Sequence, residues 1–514
     1  MKQHSGISAA TLTVLWCIVA GQFSPNEAPG RTVYVHLFEW KWTDIAAECE
    51  RFLGPKGFAG VQVSPPNEHR IITDPAYPWY ERYQPVSWKL VSRSGNEAEF
   101  KDMVKRCNRA GVRIYVDAVF NQMAGSRGIG SAGSSFDSAT RNYSGVPFGP
   151  EDFTPRSECP TKSGGIDSYN NALEVRNCDL LGMPDLAIYK NKTRETIVKY
   201  LNHLIDIGVA GFRIDAAKHM WPQHLYDLLS TLKDLNPSVF AAGTRPFIFE
   251  EVIDQGGEPI KDAEYTRNGR VTEFKYGKEL SKGIKKEGGQ LLKYFRNFGE
   301  QWGFLPADRA VTFVDNHDNQ RGHGGGGGIL TFRNAREYKI ANAFMLAHPY
   351  GFPQVMSSFT WPQRFADGED KNNWMGPPSD DKGHTNSVPI RPDNSCDGGW
   401  ICEHRWRQIT NMVGFRNVAG DKHLTHWWDN GANQIAFGRG DKAFIVINNE
   451  GLTLKQTLPT GFHTGIYCDV ISGDKIGATC SGKRIEVKAD GMADFLIGGQ
   501  DEDPVVAIHV DSRL

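Results

Sequence analysis

Three short segments gather acids among other polar side chains: Gly211-Phe-Arg-Ile-Asp-Ala-Ala-Lys-His219, Phe247-Ile-Phe-Glu-Glu-Val-Ile-Asp254 and Phe313-Val-Asp-Asn-His-Asp-Asn-Gln-Arg321. Each extends an apolar run, where a strand would deliver its last side chains. A lone acid in such a place commonly caps a helix. Three clusters in one chain point instead to a site assembled from several strand ends. Carboxyls of unlike pKa in one site can divide the work of nucleophile and proton donor. Side chains alternate along a strand, so Arg213 and Asp215 share a face, as do Asn316 and Asp318 if the extended pairing continues that far. A buried guanidinium beside Asp215 favours the carboxylate, which suits a nucleophile; the partner acid then needs a raised pKa. Glu250 and Glu251 must point oppositely, and phasing alone does not choose between them.

The elements that must position these residues follow a simple rhythm. β-branched and aromatic runs predict strands at 32–38, 60–63, 112–120, 209–214, 246–252, 310–314 and 354–357. Amphipathic helices are expected after Thr43, over 96–110 and over 193–207. Near-continuous apolar strands separated by such helices imply a parallel sheet covered by helices, and ligands of a βα barrel meet the C-terminal ends of its strands. Residues 121–185 break the rhythm: they are rich in Gly, Ser, Asn and Pro and show no helical period, as expected of a functional loop or small domain. After about Lys422 the helices vanish, and 426–449 reads as hairpins turning at Asp429-Asn-Gly431 and Arg439-Gly-Asp441. The predicted architecture is a (β/α)₈ barrel over 22–120 and 187–422, an inserted domain over 121–186 and a C-terminal β-sandwich over 423–514.

Composition narrows the function classes. The 58 basic and 60 acidic side chains leave a net charge of -2, so nothing marks a partner for nucleic acid or an anionic membrane, and a neutral ligand fits. An apolar stretch over 7–20, after Lys2 and His4 and before small residues, predicts a cleaved secretory leader over 1–21, too short to span a bilayer. Cys17 falls in that leader. The eight remaining cysteines suit an oxidising compartment, and their order suggests Cys49 with Cys107, Cys159 with Cys178, Cys396 with Cys402 and Cys468 with Cys480, one pairing among 105. Asn142-Tyr-Ser144 and Asn191-Lys-Thr193 are glycan acceptor sequons.

Taken in order, Val35-His-Leu-Phe-Glu-Trp40, Gly60-Val-Gln-Val-Ser-Pro-Pro66, Trp79-Tyr-Glu-Arg-Tyr-Gln-Pro85, Val116-Asp-Ala-Val-Phe-Asn121, Gly211 to His219, Glu251-Val-Ile-Asp254, Asn316-His-Asp-Asn-Gln-Arg321 and Ala347-His-Pro-Tyr-Gly351 resemble the animal α-amylases of the glycoside hydrolase α-amylase family. The resemblance runs from about Gln22 to the C-terminus. It implies a secreted, monomeric enzyme that cuts internal α-1,4 bonds of starch, glycogen and maltooligosaccharides with retention. By that resemblance Asp215 is the nucleophile, Glu251 the general acid/base and Asp318 the third carboxylate, with Glu250 standing where relatives often have Gln. It implies substrate contacts from Trp79, Tyr80, Tyr83, Gln84, Tyr169, Lys218, His219, Glu258, His317 and His323, the last on a flexible glycine-rich loop. A structural calcium would take side chains of Asn121 and Asp185 and carbonyls of Arg176 and His219. Arg213 and Asn316 match two chloride-binding positions of many animal relatives, but Gln354 stands where an arginine is common. A dipole in place of a charge weakens anion binding, so chloride independence is expected. The rival functions are an exo-acting α-glucosidase or transglycosylase on the same barrel, and a non-catalytic amylase-like carbohydrate-binding protein.

Overall fold

A computed structural model describes residues 22–514. The predicted leader and Cys17 lie outside the described residues. Eight parallel strands close into a barrel: Tyr34–Leu37, Gly60–Val63, Arg113–Ala118, Gly211–Ile214, Phe247–Glu250, Arg270–Thr272, Ala310–Phe313 and Phe352–Ser357, the first pairing with the last through Tyr34 and Gln354. The sixth strand was not among the seven expected. It has three residues, two of them polar, and pairs through two residues on either side.

Alternation along these strands divides the barrel interior into two layers. Tyr34, Tyr115, Phe247 and Phe352 fill the lower layer with rings 5.0–5.9 Å apart. A Cβ on Gly60 would sit 2.5 Å from the Tyr115 ring, so this strand must have glycine there. Two residues further on, the inward positions become polar: His36, Gln62, Asp117, Arg213 and Gln354, with His36 paired to Gln62 and Asp117 to Arg213 on neighbouring strands. The apolar floor excludes water beneath a polar layer that opens toward the strand ends, strengthening the electrostatic contacts above it.

The helix predicted from Thr43 begins instead at Trp42 and carries no side-chain cap, because the Trp42 amide is satisfied by the Ser94 carbonyl of a distant loop. The helix Glu97–Arg109 has a complete capping box between Asn96 and Glu99. Helix Asn191–Ile207 stops at Gly208, whose φ of 110° continues no helix.

Between the third and fourth barrel strands lie a three-stranded antiparallel sheet (Arg127–Ile129, Ser135–Asp137, Asn142–Tyr143) and a short helix, Ala172–Asn177, where no helical period was read. Asn171 caps that helix by accepting from the Leu173 amide.

The C-terminal region forms two four-stranded antiparallel sheets. Residues Ala436, Phe444, Val446, Val506 and Ile508 of one pack on Leu454, Leu458, Val487 and Phe495 of the other. The alternate side chains Ile435, Phe437, Ile445 and Ile447 join the barrel's core instead. Strands Ala443–Asn448 and Val505–His509 of the first sheet are therefore buried on both faces, which is why they read as apolar runs. All four expected disulfides are present: Cys49–Cys107, Cys159–Cys178, Cys396–Cys402 and Cys468–Cys480.

Candidate active site

Arg213 is the inward side chain of the fourth barrel strand, and its guanidinium gathers three carboxyls. Nη1 lies 2.6 Å from Asp117 and 2.8 Å from Asp215, while Nη2 lies 2.7 Å from Glu251. Asp215 and Glu251 thus meet across one planar group. Backbone bonds hold this arrangement: Asp215 donates its amide to Ala118 O, and Glu251 to Ile214 O. Ala216 adopts φ 51°, a conformation that strains a residue with a Cβ, and its amide donates to Glu251 Oε2 at 2.8 Å.

Glu250 points the other way. It is fully buried behind the strand, accepts one bond from Asn268, and leaves Oε2 without a partner. The choice that strand phasing left open is therefore made in favour of Glu251.

Asp318 completes the group of acids by a route other than the one expected. The seventh strand ends at Phe313, and Asp318 sits in a turn where Asn316 Oδ1 accepts the amides of Asp318 and Asn319. The pair is held by that turn, not by a continued strand face.

Three carboxyls share one buried guanidinium, with Asp318 in the same cleft. Burial pushes Asp215 well above the ordinary carboxylate range, opposed by Arg213 and reinforced by Glu251 and Asp117. Burial, then the Glu251 charge, pushes Asp318 up to about 7. Arg213, 2.8 Å from Asp215, opposes the shift at Asp215 and favours its carboxylate. Asp117 was missed as a site residue. It bridges Arg213 and the Tyr83 hydroxyl, 2.9 Å away, and its signal was its place in Val116-Asp-Ala-Val-Phe-Asn121.

Asp215, Glu251 and Asp318 form the floor of a cleft of about 710 Å³, whose walls include Trp79, Tyr80, Tyr83, Gln84, Tyr169, Lys218, His219, His317 and His323. The aromatic wall is braced from behind: Trp79 Nε1 donates to Asn373 O at 2.9 Å, and Tyr83 stacks on His317 at 5.2 Å. Burial and the Arg213 charge hold His317 well below the usual imidazole range, so it stays neutral. Lys218 pairs with Glu258 and donates to Ile253 O; Glu258 sits beside the cleft through that pair. His323 lies over Trp79, 5.9 Å between rings, in a loop tied down where its amide meets Asp318 O.

Asn121 and Asp185 lie behind this wall, where the insertion meets the barrel. Both side-chain atoms of Asn121 are buried without a partner, and the Asp185 carboxylate takes its one side-chain bond from Thr154 at 2.6 Å. Burial raises Asp185 well above its ordinary value. A cavity of about 30 Å³ is lined by Asp185, Arg176, His219 and Thr154. Leu186 N donates to Asn121 O, and Gln122 pairs with Asp185. The orphaned amide oxygen of Asn121 and the buried Asp185 carboxyl therefore lie on paired segments, and such oxygen donors suit a hard cation.

Of the remaining candidates, Arg213, Asn316 and Gln354 line a cavity of about 10 Å³ under the acids. Gln354 donates to Gln62 Oε1 at 2.7 Å.

A family profile described as "Alpha amylase, catalytic domain" matches residues 83–353, and one described as "Alpha amylase, C-terminal all-beta domain" matches 426–511. Alpha-amylase 2B of Homo sapiens is 57% identical over 498 residues, 96% of this chain and 97% of that protein. Pancreatic alpha-amylase of Sus scrofa is 56% identical over the same length, with the same shares covered. The crystal structure of a mutant of alpha-amylase I from Eisenia fetida with maltohexaose superposes with a TM-score of 0.90 at 51% identity, covering 94% of this chain and 98% of that one. The strand-end acids, the barrel that carries them and these likenesses agree: the chain is a glycoside hydrolase and belongs to the alpha-amylase family.

Proposed function

We propose that the cleft hydrolyses internal α-1,4-glucosidic bonds of starch, glycogen and maltooligosaccharides with retention of configuration. The observation that carries this reading is the meeting of Asp215 and Glu251 on one guanidinium, beneath an aromatic wall suited to the apolar faces of glucose rings. In the first step an Asp215 oxygen attacks the anomeric carbon while Glu251 gives its proton to the departing glycosidic oxygen. The products are a glycosyl ester on Asp215 and a free sugar hydroxyl. Glu251, now a carboxylate, takes a proton from water; the resulting hydroxide attacks the same carbon and restores the Asp215 carboxylate. Arg213 stabilises whichever of the two is anionic. Asp318 and the neutral His317 bind sugar hydroxyls, and Lys218 and Glu258 hold the leaving chain.

The donor set at Asn121 and Asp185, with the carbonyls of Arg176 and His219, would hold calcium. The ion would supply positive charge that fixes the insertion on the barrel, and the chemistry above passes through side chains alone. The four disulfides support a secreted protein, taken here as a monomer.

Product analysis on an end-blocked long maltooligosaccharide tests the reading. Internal cuts are expected. Asp215→Asn and Glu251→Gln should each lower kcat on the order of 10⁴-fold with the fold intact. Glucose released solely from free ends would favour an exo-acting glucosidase, and substantial activity without Glu251 would remove the assigned acid.

A further inference from the structure

Arg321 is a buried cation to which the chemistry above gives no part. It ends the short turn Asn319–Arg321, and its amide donates to Asp318 O at 3.0 Å. Asn316 Oδ1 already closes that turn, so the Arg321 side chain is not needed there and runs instead toward the aromatic wall. The residue is 3% exposed, and among the described residues its guanidinium pairs with no acid.

Four rings enclose it. The guanidinium carbon lies 3.8 Å from the ring centre of Trp361, 4.7 Å from Phe359, 5.8 Å from Trp79 and 6.0 Å from Phe38. Nε and Nη2 are buried without a partner, while Nη1 donates to Asn373 O at 3.1 Å and to Met375 O at 3.2 Å. Ring faces attract a cation by about 0.5–2 kcal/mol, against a desolvation cost of several kcal/mol for the charge. An apolar side chain of similar length would fill the box without that cost. It would not donate, so the two carbonyl bonds are what the cation adds.

Those bonds end on the segment that carries the wall. Trp79 Nε1 donates to the same Asn373 O at 2.9 Å, and Trp79 N donates to Trp374 O at 3.3 Å. Trp79 thus hangs from residues 373–374 by its indole and its amide. Residues 371–375 lie outside helices and strands, in the loop after the eighth barrel strand. The turn that carries Asp318 and the ring that lines the cleft meet at one carbonyl oxygen, which has a lone pair for each donor.

We propose that Arg321 is a positioning residue that fixes the Trp79 ring relative to the acids, by clamping the Asn373 carbonyl between the Asp318 turn and the aromatic wall. It acts through Trp79 and touches no reacting atom. The inference rests on the proposed glucan hydrolysis, in which the aromatic wall receives the sugar.

Arg321→Met fills the ring box and removes the donors, Arg321→Lys keeps the charge and shortens the reach, and Trp79→Phe keeps a ring and removes the indole donor. On end-blocked maltoheptaose, KM should rise about tenfold for Arg321→Met and about fivefold for Arg321→Lys. Their kcat should stay within about twofold of wild type, because Arg213 still holds Asp215 and Glu251. In a Trp79→Phe background, Arg321→Met should add less than about twofold in KM, since both act on one carbonyl. A lower melting temperature with wild-type KM would mean that Arg321 serves packing alone. A full tenfold rise in the Trp79→Phe background would mean that it acts independently of the ring. Either result overturns the proposal. If Arg321→Met fails to fold, Arg321→Lys decides alone, and a wild-type KM for it overturns the clamp. A wild-type protein that makes no internal cuts would instead refute the glucan hydrolysis on which the inference rests.

Discussion

Glu250 and Glu251 are chemically identical neighbours that the strand sends into opposite environments. Glu251 shares Arg213 with Asp215, whereas Glu250 has one amide donor and no cation, and burial lifts it from 4.5 to about 8. Its folded-state pKa is therefore above its unfolded value, and the native state holds a proton that the unfolded chain releases. Stability from this group is complete below about pH 4.5, declines as pH rises, and stops declining near pH 8. Glu250→Gln removes the titration while its amide oxygen can still accept from Asn268. The variant should melt at the same temperature as wild type near pH 4.5 and at a progressively higher one up to pH 8. The difference should then level off at a few kcal/mol of stability. Melting curves across that range check it; an offset that does not vary with pH would mean that Glu250 is already ionised or already satisfied.

At the scale of elements, the inward layer of the barrel determines what the acids feel. The guanidinium of Arg213 is committed to Asp117, Asp215 and Glu251, and Gln354 of the eighth strand is turned to Gln62. The cavity they leave, about 10 Å³, is at the lower limit for one water. Chloride would have to displace Glu251 from its cation with no second cation to help. Activity after exhaustive dialysis should therefore change less than about twofold when chloride is restored, while Gln354→Arg should introduce a saturable chloride response. Saturable activation of the unaltered protein would show that the pocket opens to the anion. Strands of this barrel were legible where β-branched and aromatic residues run together between turns. Arg270–Thr272 was not, because neighbouring strands, and not its own composition, make it extended. Asp318 and Ala216 illustrate the same limit in the site. Their types and positions were readable, but Asp318 is aimed by a local side-chain-to-backbone turn that breaks the strand pattern, and the left-handed Ala216 is held by Glu251 of another loop. Asp117 was visible as a strand-end acid and gains its role from Tyr83 and Arg213, 34 and 96 residues away.

At the scale of the whole molecule, the cleft exists because the segment between the third and fourth barrel strands is held against the barrel. Its own sheet has three short strands, and its internal covalent tie, Cys159–Cys178, does not reach the barrel. The junction joins apolar side chains such as Phe148, Phe153 and Val175 to the barrel core, and it also buries polar groups: Asn121 has two unpartnered side-chain atoms, and Asp185 is a carboxyl whose burial no contacting cation offsets. Closing such a junction without an ion leaves desolvated groups that favour separation. Calcium bound there would stabilise the closed form by mass action, since the opened form lacks the assembled donors. Chelation should therefore lower the melting temperature by several degrees, equivalent to about 2–4 kcal/mol at saturating calcium. It should also expose 121–186 to proteolysis before the C-terminal sandwich, whose core is separate. Asp185→Asn should give the same sensitivity without chelator and abolish the response to added calcium. If chelation leaves both melting and the cleavage pattern unchanged, the insertion is held by its packing, and the donors at Asn121 and Asp185 need another explanation.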